Sequence, residues 1–248
     1  MLKKILTCAL TLALLLAMLG AFTSCGEKVR YDGEDEFTMG GFSTEETVTS
    51  IEILWVKGSV TIAGSLGNKV SVKENYKHRN DNTLRYRLAD GVLQIYPCAS
   101  GTDAEEVAKD LTVELPYAMA YALENVKIVA KGDVAVGMNM IETKTLNVTA
   151  EAGNVHYKGR LHKATVTTAS GDFSADSMTA EEIRFTSDTG DATLALHLFG
   201  FTAVMQDERG TFASTYEAYK NGGIYTYGTQ ASTLIFATDG KVTLTDVD

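Results

Sequence analysis

Between Gly132 and Gly240 the chain repeats one short unit: an alternating apolar strand, a turn built on Gly with a small or polar residue, then a second strand. The turn glycines are Gly132, Gly153, Gly171, Gly190, Gly210 and Gly240, separated by steps of 21, 18, 19, 20 and 30 residues. A near-constant period of this size marks stacked repeats, each too small to bury its own apolar face. Five residues before the last five glycines stand Val148, Val166, Phe185, Met205 and Ile235, and two after them stand Val155, Phe173, Ala192, Phe212 and Val242. The first unit is one residue out of register, with Ile128 four before Gly132, but Val134 keeps its place after the turn. Polar residues fill the positions between these anchors, as a period of two with one buried face requires. Gly is expected to supply a positive φ, and the Asp or Asn that often follows it to bond its own backbone.

Two architectures accommodate this pattern. Antiparallel hairpins would close into a β-sandwich, whereas coils of ~20 residues stacked on one another make a parallel β-solenoid. The even spacing predicts an all-β, single-domain β-solenoid. So does the order of the turns, which read Gly-Asp or Gly-Asn where a two-residue hairpin prefers Asn-Gly or Asp-Gly. Upstream, strands are expected at residues 51–56, 60–62, 69–74, 84–88, 92–96 and 111–116, with a hairpin at Asp90-Gly91 and a helical turn at Ala104–Lys109.

The N-terminus carries an address. Lys3 and Lys4 precede an almost wholly apolar run, Ile5 to Ala21, which ends at Phe22-Thr23-Ser24-Cys25-Gly26. A positive start, an apolar run short for a bilayer span and small residues before a cysteine describe an export signal. The ending resembles a bacterial lipobox, with Phe22 where that signal more often has Leu. The resemblance implies cleavage after residue 24 and lipidation of Cys25, whose acyl chains would anchor the protein without crossing the bilayer. Residues 1–24 then form the signal, 25–47 a flexible acidic tether and 48–248 the solenoid. Cys8 leaves with the signal, so Cys98 is left alone and no disulfide framework exists. It has no nearby His to activate it, and reads as a half-buried apolar residue.

The chain has a formal net charge of −10, and loss of Lys3 and Lys4 with the signal makes it −12. That balance excludes nucleic acid as a partner and electrostatic attachment to an anionic bilayer. It suits an exported domain on a cell envelope.

Ala169-Ser170-Gly171-Asp172-Phe173, Thr189-Gly190-Asp191-Ala192 and Ala130-Lys131-Gly132-Asp133-Val134 resemble the Ser-Gly-Asp-Val element of the adhesin-labelled bacterial β-strand repeat proteins of toast-rack type. Leu111-Thr112-Val113-Glu114-Leu115-Pro116 resembles the Leu-Pro strand that precedes that family's regular repeats. The resemblance runs from about Thr47 to Asp248. It implies an extracytoplasmic β-helical protein and carries over no catalytic residues. The 30-residue last step departs from the pattern through an insertion between Thr211 and Ala231.

That insertion holds Tyr216, Tyr219, Tyr225 and Tyr227, a candidate binding loop whose competing role is a cap over the solenoid's open end. Other chemistry is sparse. His78, His156, His162 and His197 are scattered, and Asp133, Asp172, Asp188 and Asp191 lack the nonapeptide of calcium-binding β-rolls, so no metal or other cofactor is expected. Glu181, Glu182 and Arg184 are the nearest approach to a polysaccharide-cleaving group, but strand neighbours point to opposite faces. The favoured function is a non-enzymatic, adhesin-like binding scaffold for envelope polysaccharide or protein. An envelope-stress sensor or accessory subunit and a β-helical enzyme are the alternatives.

Overall fold

The computed structural model describes residues 28–103, 108–117 and 123–247, apart from the side chains of residues 138–140. The signal segment, Cys25 and positions 104–107 of the expected helical turn lie outside these residues.

Alternating apolar residues can bury one strand face only if a second sheet covers it. The chain supplies both sheets by coiling. In the first sheet β3 (Ser50–Trp55), β9 (Asn125–Ala130), the end of β10 (Val134–Ala150), the end of β11 (Val155–Thr168) and β13 (Glu182–Thr186) are successive parallel neighbours. In the second, β4 (Val60–Ser65), the starts of β10 and β11, β12 (Phe173–Ser177) and β14 (Ala192–Leu196) are stacked in the same way. Each coil crosses from the first sheet to the second through a Gly turn and returns around an opposite corner. In β11 the alternation of buried and exposed residues skips at His162-Lys163, which places that corner, and in β10 the register shifts between Met138 and Glu142. The body is therefore an all-β solenoid, and parallel pairing sets the sandwich aside.

The predicted core columns form with two corrections. Val134, Val155, Phe173, Ala192 and Val242 are buried and lie in register along the second sheet, joined by half-buried Phe212. On the first sheet Val148, Val166 and Phe185 are buried, but the next residue in the column is Phe236 rather than Ile235. The turn before Gly240 is one residue shorter, as it is before Gly132, so Ile235 falls on the outer face and is only partly covered. Met205 pairs with Phe236 and is likewise only partly covered.

Chain order and stacking order part company at both ends. β7 (Val92–Tyr96) and β8 (Leu111–Pro116) stack outside β3 and β4, although they follow them in sequence. At the other end β19 (Ser232–Ala237) and β20 (Lys241–Thr245) lie inside, between β13/β14 and the earlier strands β15 (Gly200–Met205) and β16 (Thr211–Ser214). Antiparallel strands finish the ends. β6 (Arg85–Ala89) pairs with β7 across Asp90-Gly91, where positive φ at both residues fits the expected hairpin. β5 (Val70–Glu74) pairs with β8, and β1 (Thr38–Met39) and β2 (Phe42–Thr44) add to β6 and β5. At the far end, β17 (Tyr219–Asn221) and β18 (Ile224–Gly228) form a hairpin on β15.

Within the stretch expected as a flexible tether, residues 25–47, positions from Val29 onward pack on the body. Val29 is buried with Val56 and Cys98, and exchanges backbone hydrogen bonds with Thr102 and Gly101. Tyr31 stacks on Tyr96 at 4.1 Å between centroids. Acidic composition hid this packing because the contacts are made by isolated apolar residues without a period.

Candidate functional site

The ridge of Gly turns is where repeated polar residues gather, and its geometry assigns them a task. Each glycine sits against the carbonyl of the coil below it. A Cβ would lie 2.3 Å from the Gly58 oxygen at Gly132, 2.0 Å from Gly132 at Gly153, 2.1 Å from Gly153 at Gly171 and 2.1 Å from Gly171 at Gly190. Of this column only Gly58 has a positive φ, at 101°. The expectation of left-handed turns is thus corrected: the glycines are required by close approach of backbones.

The residue after each glycine ties the coils together. Asp133 Oδ1 accepts the Asn154 N–H at 2.7 Å, Asn154 Oδ1 that of Asp172 at 2.9 Å, Asp172 Oδ1 that of Asp191 at 2.8 Å, and Asp191 Oδ1 that of Lys241 at 2.6 Å. These side chains do not bond their own turns, as expected from sequence, but the backbone of the next coil. Asp110 performs the same task for Ser59, whose N–H and hydroxyl both reach Oδ1 at 2.9 Å. The carboxylates are acceptors in a structural ladder, and among the described residues no group of three or more His, Cys, Asp or Glu is placed to hold a metal.

At the opposite corner, residues one period apart meet. His162 Nδ1 lies 2.8 Å from Glu181 Oε1, and Nε2 bonds Glu142. The imidazole bridges two carboxylates on either side of it, with no common point for a metal. The hydrogen bond to Glu181 holds His162 above its ordinary pKa, against a smaller opposing effect of desolvation. His156 contacts the Ser174 hydroxyl at 2.7 Å, far from this cluster in role. Glu181 being taken by His162, Glu182 pairs instead with Arg184 Nε at 2.6 Å on the exposed face. The suspected catalytic trio diverges.

The Tyr-rich insertion folds back as the hairpin β17–β18. Tyr216, Tyr225 and Tyr227 are half-buried. Tyr216 packs on Phe201 at 5.5 Å and Tyr227 at 4.9 Å between centroids, and Tyr225 on Phe212 at 4.4 Å. Tyr216 donates its hydroxyl to the Leu196 carbonyl at 2.6 Å. Tyr219 alone of the four is strongly exposed, at 73%. The alternation of β18 explains the split, since Tyr225 and Tyr227 share the inward face.

At the N-terminal end a buried charge pair had no sequence signal. Lys109 Nζ meets Glu74 Oε2 at 2.6 Å, both side chains almost fully buried, and also bonds the Asn82 and Pro97 carbonyls. Its ammonium lies over the Trp55 and Tyr76 rings at 5.2 and 5.3 Å. Burial lowers the Lys109 pKa, and the Glu74 carboxylate opposes that shift. Cys98 is fully buried nearby, and burial pushes its thiol up to about 11, which makes it a poor nucleophile.

A family model described as Toastrack DUF4097 matches residues 47–207. No curated protein matches the sequence. Among solved structures, the chain is similar to a "putative cell adhesion protein" from Clostridium sporogenes, at 12% identity and a TM-score of 0.49, covering 85% of this chain and 100% of that one. It is also similar to a "putative adhesin" from Bacteroides fragilis, at 13% identity and a TM-score of 0.41, covering 85% of this chain and 97% of that one.

Proposed function

We propose that this chain, which belongs to the Toastrack DUF4097 family, is a lipid-anchored envelope protein whose solenoid acts as a rigid, non-enzymatic binding scaffold. The ladder of Asp and Asn side chains carries the reading: groups that could have served chemistry are spent joining one coil to the next. A rack so joined holds surfaces at fixed spacing, which suits recognition of an extended partner such as envelope polysaccharide or protein. The leader sequence ending at Cys25 supports export and lipidation. Val29 is hydrogen-bonded into the body, so an anchored Cys25, four residues before it, would hold the body within ~15 Å of the bilayer. In this reading the insertion with Tyr216, Tyr225 and Tyr227 serves first as the cap, and Tyr219 is its contact residue.

Membrane fractionation of cells carrying the full chain tests the anchor. The protein is expected with membranes, and Cys25→Ala is expected to release it to the aqueous fraction; retention of Cys25→Ala at the membrane would refute lipid anchoring. Crosslinking and capture from intact envelope, with and without residues 214–228, tests the scaffold and the insertion separately.

A further inference from the structure

At the N-terminal end a cleft of about 510 Å³ opens between β2, β5 and the loop that follows β5. Its rim is cationic. Lys73, Lys77, His78 and Arg79 line it, all exposed, in a chain whose net charge is −10. Glu74 is the single acid among the lining residues, and it faces away from any ligand: Oε1 accepts the Leu84 N–H at 2.9 Å and Oε2 holds buried Lys109. The buried ion pair thus neutralises the one acid among the lining residues. Lys73 is held by Glu114 at 2.9 Å, which leaves Lys77 and Arg79 as the cations to engage a ligand.

The walls add a second type of contact. Tyr76 is half-buried, is hydrogen-bonded to Asn80 and lies 5.3 Å from the His78 ring. Across the cleft Gly40 has φ 93° and nothing within 4 Å of where a Cβ would stand, so bare backbone borders open space. An aromatic face beside cations, with exposed peptide opposite, matches a saccharide ring bearing a phosphate or carboxylate.

We infer that this cleft binds an anionic saccharide, held by Lys77 and Arg79 through its charge and by Tyr76 through its ring. The inference rests on the reading of the protein as an envelope binding scaffold and names the ligand class for it. Isothermal titration of the full chain in neutral detergent, with oligogalacturonate and a phosphorylated mannan oligosaccharide as separate probes and dextran as the neutral control, tests it. Saturable binding of either anionic probe, weakened by salt, is expected, and the preferred probe tells carboxylate from phosphate. Lys77→Glu/Arg79→Glu should raise Kd at least about tenfold, while Lys220→Glu at the opposite end should leave it within about twofold. The same comparison with Lys77→Ala/Arg79→Ala guards against misfolding of the reversed variant. Equal binding by all variants, equal binding of dextran, or binding of neither anion would overturn the inference. None of these outcomes alters the membrane fractionation of Cys25→Ala, so the two readings fail independently.

Discussion

Replacing Gly171 by Ala puts the stacking geometry under direct load. The added methyl would stand 2.1 Å from the Gly153 carbonyl oxygen, 2.7 Å from its carbon and 3.3 Å from Asn154 N. Ordinary carbon contacts are about 3.5 Å or more, so the coils must separate by over ~1 Å at the ridge. Two inter-coil hydrogen bonds cross that gap, Asp172 N–H to Asn154 Oδ1 at 2.9 Å and Val155 N–H to the Asp172 carbonyl at 2.8 Å. Losing both costs about 2 kcal/mol, and overpacking against backbone adds about another 2. A total of about 4 kcal/mol is a large fraction of the roughly 5–15 kcal/mol that holds a typical domain. Gly137 is the control, because it lies in β10 with open space within 4 Å of where its Cβ would stand and without a positive φ. Gly137→Ala should shift stability by about 0.5 kcal/mol at most, toward the native state. Urea unfolding followed by circular dichroism, with midpoint and slope fitted separately, reads both variants. A loss below about 1 kcal/mol for Gly171→Ala, or equal midpoints for the two, would refute close approach as the reason for the glycine column.

Asp172→Ala should cost about 1 kcal/mol by removing the acceptor for Asp191 N–H, whereas Asp172→Asn should be nearly neutral because Asn154 already does this work in the preceding coil. Added calcium should leave the melting temperature of the wild type unchanged; a rise that saturates with calcium would show that the ridge binds it. Because the His162 pKa is raised on folding, its contribution is complete below the unfolded value near 6.5 and is lost as pH rises through the folded value. His162→Gln should therefore flatten the fall in stability on the alkaline side of that window, as measured by thermal melts across pH. Cys98 should resist a thiol reagent in the native protein and react at once in denaturant; rapid native labelling would contradict its burial.

The repeat is legible because period two and a ~20-residue step are both written in local sequence, and Phe173 or Val155 can be placed in the core from spacing alone. Residue type is a poorer guide to chain conformation. Gly suggests a positive φ, although its missing Cβ matters here to the coil beneath it. The His162 corner can be found in principle, since Glu142 and Glu181 stand one repeat away on either side, but scattered histidines prompt a search for metal ligands before one for ion pairs. The Lys109–Glu74 pair joins residues 35 apart in an irregular region and has no periodic trace. Likewise the order of the last two coils depends on which edge β19 and β20 find, which no local pattern encodes.

That exchange of order has a mechanical consequence. In a simple stack the last coil is an edge, and tension on the chain's end peels it away one ladder at a time. Here the final strands are gripped on both flanks, β19 by β13 and β15, β20 by β14 and β16. A pull on the C-terminus must shear four ladders together before any outer coil is freed. The first rack strands, β3 and β4, are likewise held between two neighbours each, although a pull from the N-terminal side meets β1 and β2 first, each with a single partner strand. The last two strands of the chain thus enter the body behind an outer coil that grips them, and a load on that end is shared by the whole stack before it can open any one ladder.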